Sequence, residues 1–244
     1  MINYFYLGTA LFVFCFLSQM GHAQHLQTDL SLLQQAYKDK IPFPQETATG
    51  GQYEVGGTFH VDGTPFLVSS DYGEGAVNIN GEEFDKVLLN LDVVKDQLIT
   101  YHPRNYQQII LDHRKVQTFQ LVSGRKFIQL PDMPGYTWHY NGYYEVLWEK
   151  DIMIISKHYK EEEIKKDFGS SEKSFEFENH EDFFIKTSNG FRRVTRKKHV
   201  VETMGISKKQ INKILRQEGL RFKKNTRQVL IALGNFYTSE SINR

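Results

Sequence analysis

The sequence predicts a mainly β protein of α+β class: an antiparallel meander in a curved sheet, sandwich or barrel-like form, closed by a short helical C-terminus. Three observations predict it. From residue 53 onward, dipeptides that tolerate positive φ recur at Asp62-Gly63, Asn80-Gly81, Asn141-Gly142 and Asn189-Gly190, with Ser123-Gly124, Lys95-Asp96 and Lys150-Asp151 as weaker breaks. Tight hairpin turns demand such residues. Between the breaks the apolar period is two, since Val87, Leu89, Leu91 and Val93 alternate with Leu88, Asn90, Asp92 and Val94, which sends the first set to one face of a strand. After Val194 the apolar spacing becomes helical. No βαβ spacing occurs, so sequential strands are expected to pair as neighbours.

The N-terminal element is a targeting segment. Residues 4 to 17 (YFYLGTALFVFCFL) form an uncharged apolar run, shorter than the roughly 20 residues of a membrane-crossing helix. Small Gly21 and Ala23 follow at the positions signal peptidase reads, so residues 1–23 read as a secretory signal peptide cut between Ala23 and Gln24, with an uncleaved signal anchor as the alternative because no Lys or Arg precedes the run. The only Cys, Cys15, lies inside it. The exported part therefore has no thiol for a disulfide, a zinc site or an iron–sulfur cluster, and rests on apolar burial.

Leu26, Leu30, Leu33 and Tyr37 fall on one helical stripe within 25–38, and Pro42 and Pro44 end it. Residues 24–51 thus read as an N-terminal helix and linker, and 52–238 as one β-rich domain whose helices occupy about 196–238. Strand 143–149 (YYEVLWE) places Tyr144, Val146 and Trp148 on one face and Leu147 on the other, so both faces need cover. Residues 160–173 (KEEEIKKDFGSSEK) are too charged for a half-buried strand and read as a loop or short helix. Near the end, Ser207 and Gln210 have capping-box spacing, Ile211, Ile214 and Leu215 make a narrow apolar stripe, and Gly219 stands where a left-handed cap belongs. Asn225 opens a last helix with Val229, Leu230, Leu233, Phe236 and Tyr237 on its apolar side.

No motif whose spacing enforces a mechanism is present: no nucleophile elbow, HExxH, Walker loop, dinucleotide fingerprint or EF-hand. No cofactor, metal site or catalytic residue is expected on that ground. Scattered candidates remain. Asp112-His113-Arg114 and His180-Glu181-Asp182 put acids beside histidines, but strand neighbours point to opposite faces and meet only in a turn. His60, His102, His139 and His158 lie near aromatics and read as structural. Asp71, Glu74, Glu82, Glu83 and Asp85 could attract calcium but match no metal loop and read as solvated. Tyr136, Trp138, Tyr140, Tyr143 and Tyr144 cluster around Gly142 as core or cross-strand pairs.

Charge segregation carries more content. The formal net charge of +1 sums −11 over residues 24–185 and +12 over residues 186–228. Arg196, Lys197, Lys209, Lys213 and Arg216 are the candidate basic binding face, and Lys209, Lys213 and Arg216 share one side of a helix, where like charges repel unless an anion offsets them. The basic region is a solvated face neutralised by the protein's own sheet, or a contact for an anionic envelope component such as lipid headgroups or an acidic polymer. The run ISKKQINKILRQEGLRFKKNTRQ has the outward form of a helix-turn-helix, but export separates it from DNA, so no nucleic-acid partner is expected.

Gly63-Thr64-Pro65-Phe66-Leu67, then Gly75 and Asn80-Gly81, then Gly142-Tyr143-Tyr144-Glu145-Val146-Leu147, and finally Arg196-Lys197-Lys198 through Lys223-Lys224 to Tyr237 resemble an uncharacterised family of secreted, β-rich proteins common in Bacteroidota. The likeness spans about residues 52 to 238. It implies export and one β-rich domain with terminal helices, and no activity or catalytic residue. The sequence therefore reads as an exported, non-enzymatic binding or interaction module, periplasmic or outer-envelope associated. Its alternatives are a carrier of small apolar ligands and a hydrolase with a dispersed acid and histidine site. The expected partner is an anionic envelope component or another envelope protein, with no transmembrane segment in the mature chain.

Overall fold

The computed structural model describes residues 45–54, 61–131, 133, 136, 138–165, 174–187 and 190–242, with Leu32, Leu33 and Ala36 before them. The chain divides into Met1–Gln45 and Glu46–Arg244. In the first unit Leu32, Leu33 and Ala36 are helical, and the signal peptide, its Ala23/Gln24 cut and most of the expected helix lie outside the described residues. No helix among the described residues is long and apolar enough to cross a membrane.

The second unit is mainly β, as its turn chemistry predicts. In chain order its strands are β1 (Gly50–Gln52), β2 (Val61–Asp62), β3 (Gly73–Ile79), β4 (Glu82–Asp92), β5 (Gln97–Tyr101) and β6 (Gln108–Leu111). Then come β7 (Val116–Gln120), β8 (Lys126–Gln129), β9 (Tyr143–Glu149), β10 (Met153–Lys165), β11 (Ser174–Thr187) and β12 (Gly190–Arg193). The helices α1 (Lys197–Met204), α2 (Lys208–Gln217) and α3 (Thr226–Ile242) follow. The sheet order is β1-β6-β5-β4-β3-β7-β8-β9-β10-β11-β12. Two meanders, β3 to β6 and β7 to β12, are thus joined through β3 and β7.

The join forces curvature. Lys115 and Val116 both donate their backbone N–H to Asp112 O, at 3.0 and 3.3 Å, so the β6–β7 turn is tight. Yet β7 pairs with β3, on the far side of β5 and β4. In a flat sheet at about 4.8 Å per strand these partners would lie about 19 Å apart, more than a closed turn spans. The sheet therefore curls back around Val77, Leu91, Leu98, Leu111, Phe119 and Phe127, all buried, and remains open, not a closed barrel. Phe119 and Phe127 are directly cross-strand and stack at 4.8 Å.

Four features differ from the sequence expectation. Gly50–Gln52, expected as linker, is an edge strand on β6. Strand β2 pairs parallel with β11, so the sheet is mixed, and Asp62-Gly63 closes no hairpin. Residues 160–165, expected as loop or helix, continue β10 with Glu161 opposite Glu178 and Glu163 opposite Glu176. This outer ribbon leaves those glutamates exposed, and a solvated strand tolerates charges that a half-buried one does not. Finally, a bulge at Ile154/Ile155 offsets β9 from β10. It carries Trp148 away from the face of Tyr144 and Val146 and into the cluster under the helices.

The helices form where expected. Ser207 and Gln210 make a reciprocal capping box, with Gln210 N–H donating to Ser207 Oγ at 3.2 Å and Ser207 N–H to Gln210 Oε1 at 3.0 Å. Ile211, Ile214 and Leu215 are buried against Ile154, Phe183, Ile185, Val229 and Leu233. Each such side chain contributes about 1.5–3 kcal/mol by burial. Where α3 crosses the sheet, a Cβ on Gly234 would lie 2.6 Å from the Trp148 ring. Glycine there is what lets the helix approach.

Inside the fold, Asp96 in the β4–β5 turn receives Lys157 Nζ at 2.7 Å and the Gly142 N–H at 2.8 Å, and Lys157 also donates to Tyr143 O at 3.0 Å. Burial pushes the Asp96 carboxyl up and the Lys157 ammonium down, and each charge offsets the other's lost hydration. This pair pins the β4–β5 turn to β9 and β10. Beside it, His139 bonds Val94 O at 2.9 Å, and burial, with Lys157 nearby, pushes its imidazole down to about 4.

Candidate functional site

Two clusters of cations stand out, one at the junction of sheet and helices and one between α1 and the end of α2. The first is built on Glu145, the one charged residue in the otherwise apolar stretch 143–148. Register places Ser156 opposite Glu145 and His158 opposite Glu181, so all four face the side on which α3 begins. Arg125, just before β8, donates to Glu145 Oε2 at 2.5 Å, and His158 Nε2 lies 2.7 Å from the same oxygen. Arg227, in the first turn of α3, grips Glu145 through both guanidinium nitrogens and reaches Glu181 Oε1 at 2.6 Å. Burial pushes the Glu145 carboxyl up, but the bonds from His158, Arg125 and Arg227 outweigh it and hold the group well below the usual carboxylate range. An open groove of about 700 Å³ passes over this centre, walled by Leu67, Val68, Lys160 and His180.

What this centre can do follows from its occupancy. Oxygen and nitrogen donors of Glu145, His158 and Glu181 lie within 4.8 Å of one another, a spacing open to a metal ion. Both carboxylates are already held by guanidinium groups, so a divalent cation would have to displace Arg227 and face two fixed positive charges. A nucleophilic triad is excluded by geometry. It needs nucleophile and acid on different imidazole nitrogens, and here Ser156 Oγ at 3.2 Å, Glu145 at 2.7 Å and Arg125 at 2.9 Å all meet Nε2. Ser156 is also wholly buried. The cluster is a tie that docks the start of α3 on the sheet.

The second cluster belongs to the sequence-predicted basic face, whose members the structure separates. Arg196 is the exposed N-cap of α1 and makes no side-chain cap bond. Lys209 and Lys213 project from α2 into solvent. Lys197 is half-buried and donates to Asn212 Oδ1 at 3.1 Å. Lys197 and Arg216 meet, together with Arg221, around a second groove of about 540 Å³.

The end of α2 shapes that groove. Gly219 has φ 65°, its N–H donates to Arg216 O at 3.3 Å, and Leu220 N–H donates to Leu215 O at 2.8 Å, the paired bonds of a Schellman ending. The turn brings Leu220 beside Leu215, and with Phe222 they form an apolar lining under the three cations. Of the two acids in residues 186–228, Glu202 is held by Arg192 and Lys198, and Glu218 is outside the groove lining. Among the described residues no carboxylate pairs with Lys197, Arg216 or Arg221.

The other candidates disperse. Asp112 and Arg114 meet in their turn at 2.9 Å, which holds the Asp112 carboxyl down at about 2. Glu181 and Asp182 point to opposite faces, one to Arg227 and the other to Arg193 and Tyr136. Tyr136, Tyr143 and Tyr144 are buried, whereas Trp138 and Tyr140 are exposed. Glu74, Glu82, Glu83 and Asp85 stand exposed on β3 and β4, and Asp71 holds a local turn with Ser69. His60 lies outside the described residues. Arg125, Glu145, Arg227 and Arg221 are not among the site residues the sequence predicts, although Arg221 and Arg227 belong to its basic segment and Glu145 to its 142–147 strand. For Glu145 the available signal was a lone charge in an apolar strand.

No protein-family model, curated protein or solved structure matches the chain.

Proposed function

We propose that the chain is an exported, β-rich module that binds and does no chemistry, and that it contacts an anionic component of the cell envelope through α2 and the loop leading to α3. The single observation that carries this is the unequal neutralisation of the basic segment. Arg192, Arg193, Lys198 and Arg227 are paired with acids. Lys208, Lys209, Lys213, Arg216, Arg221, Lys223 and Lys224 are exposed, with no ion pair to an acid among the described residues. Acids of β9, β11 and α1 thus neutralise the cations beside them, while the stretch Lys208–Lys224 is left free to attract anions. The uncharged apolar run of residues 4–17 supports export. The space under α3 is filled by Trp148, Val229, Leu230 and Leu233, which favours this reading over a carrier of apolar ligands, and the internally bonded His158 favours it over a hydrolase.

The test starts from protein recovered from the periplasmic fraction of expressing cells, whose mass should place its first residue at Gln24. This material should co-sediment with vesicles containing anionic phospholipid at about 50 mM salt and release at about 300 mM, where screening is stronger. Lys209→Glu with Lys213→Glu should weaken that association about tenfold or more, at about 1 kcal/mol per surface charge. Association that ignores both salt and these substitutions, or retention of residues 1–23 in the cytoplasm, overturns the reading.

A further inference from the structure

Resting on that reading, we propose that the groove between α1 and the end of α2 is a seat for one phosphate monoester group of an envelope lipid. Lys197, Arg216 and Arg221 would hold the phosphate, and Leu220 and Phe222 would lie against the first carbons of the attached lipid.

The chemistry selects the ligand class. Two guanidinium groups offer planar forks that match pairs of phosphate oxygens, and a lysine supplies a point charge. Three cations line one concavity with no carboxylate among the described residues. The C-terminal end of α2 contributes roughly half a negative charge, so most of the positive potential remains. A phosphate monoester brings about −1.5 to −2 and three terminal oxygens at neutral pH, which matches that excess. A diester brings a single charge and two free oxygens, and so uses fewer of the donors. The half-buried position of Lys197 distinguishes the groove from an ordinary solvated face: its ammonium is held toward the groove by the neutral Asn212 Oδ1, at 3.1 Å, and has no ion pair to an acid among the described residues. An incoming anion supplies the missing partner.

The lipid rather than free phosphate follows from the lining and the surroundings. Leu215 and Phe222 are buried core residues at the groove's inner side, and Leu220 packs against the same cluster. They give the groove an apolar wall that inorganic phosphate cannot use. The groove's volume of about 540 Å³ accommodates a headgroup and its first methylenes, within the roughly 300–1,000 Å³ of small-molecule sites. Exposed Lys223 and Lys224 flank Arg221 and Phe222 in the same loop, where they meet a negatively charged surface first. The wider face supplies attraction and the groove supplies choice.

The experiment measures binding of the same exported protein to short-chain phosphatidic acid, to short-chain phosphatidylglycerol as the diester, to inorganic phosphate, and to a short DNA duplex. The expected result is a preference of about tenfold or more for the monoester lipid, the worth of one added charge-assisted hydrogen bond. Arg216→Gln with Arg221→Gln should abolish the preference. Lys209→Gln with Lys213→Gln should weaken association with anionic vesicles and leave the preference intact. If both pairs cost the same, or monoester and diester bind alike, the groove is overturned while the basic-face contact stands. If nothing anionic binds, both fall. Inorganic phosphate binding as tightly as the lipid overturns the lipid assignment, and tighter binding to the duplex overturns it in favour of nucleic acid. Because both arginines are exposed, an unchanged melting curve certifies that the variant is folded.

Discussion

The two cation clusters use the same residue types and reach opposite outcomes. At the sheet, Arg125 and Arg227 converge on Glu145, whose side chain is 3% exposed, and the charges cancel inside the fold. At the end of α2, Lys197, Arg216 and Arg221 converge on a groove that no acid among the described residues lines. The difference lies in what each is built on. A strand can carry one acid to the middle of a buried face, so arginines from a turn and from a helix start can close on it. The end of α2 is assembled within Lys208–Phe222, a stretch in which Glu218 is the one acid. A cation becomes structural where the topology delivers a carboxylate, and stays available where it does not. The separation of −11 and +12 along the chain is therefore partly cancelled at the junction and concentrated beyond it.

The sharpest way to break this comparison is to remove the acid. Glu145→Ala leaves Arg125 and Arg227 without their shared anion, and loss of one partner of a buried ion cluster costs about 3–5 kcal/mol. The expected result in urea unfolding is a lowered midpoint with an unchanged slope. A loss under about 1 kcal/mol would mean that Glu181 suffices to hold Arg227, and that Glu145 is not the centre of the tie.

Acid should do the same to the wild type, in two stages whose signs follow from the shifts. His139 has its folded value lowered to about 4 from 6.5, so between these limits the unfolded chain takes up a proton that the fold refuses. The His139 contribution to stability is full above about 6.5 and falls as pH drops through that window, by about 2–3 kcal/mol at most. Glu145 is lowered as well. Its contribution is present above the ordinary carboxylate pKa of about 4.3 and is lost as pH falls below it. His139→Gln should flatten the first stage and Glu145→Gln the second, read as the urea midpoint against pH. The Asp96 carboxyl, raised by burial to about 6, slopes the other way in the same window, so the His139 part is read as the difference between wild type and His139→Gln. No difference between them from pH 6.5 to 4 would show that His139 is not held neutral by the fold. Acid thus turns the first cluster into a copy of the second, leaving arginines without their anion.

How much of this was legible in the sequence depends on the distance over which each feature is written. The Ser207/Gln210 capping box, the Gly219 ending and the Asn80-Gly81 turn are local, and a few adjacent residues specify each one. The sheet's curl is not local: it comes from a four-residue turn joining β6 to a strand that pairs elsewhere. Strict alternation puts Trp148 on the face of Tyr144 and Val146, and the bulge that moves it off that face leaves no local mark in the sequence. Residues 160–165 are charged yet form strand, because charge excludes a strand only where a face must be buried. The Glu145 tie gathers partners 13, 20 and 82 residues away in sequence, and no spacing rule connects them. The groove was half legible. Lys197 and Arg216 stood out as basic residues, but their meeting with Arg221 depends on how the Schellman turn directs the chain after α2.

The smallest expected effect is the one that marks the groove as unpaired. Arg216→Gln with Arg221→Gln should change unfolding free energy by no more than about 0.5 kcal/mol in either direction. Two small terms oppose each other. Arg216 lies in the last turn of α2, where a cation gains about 0.3–1 kcal/mol from the helix dipole, and removing it forfeits that. Neutralising both arginines also relieves their repulsion with Lys197 and Lys213, each like pair costing a few tenths of a kcal/mol. Both terms are screened by salt, so the urea midpoints of variant and wild type should converge as salt rises. A loss above about 1 kcal/mol that persists at high salt would show that the arginines have a buried partner within the chain. The groove would then be a second version of the Glu145 tie, and its cations would not be free for a ligand.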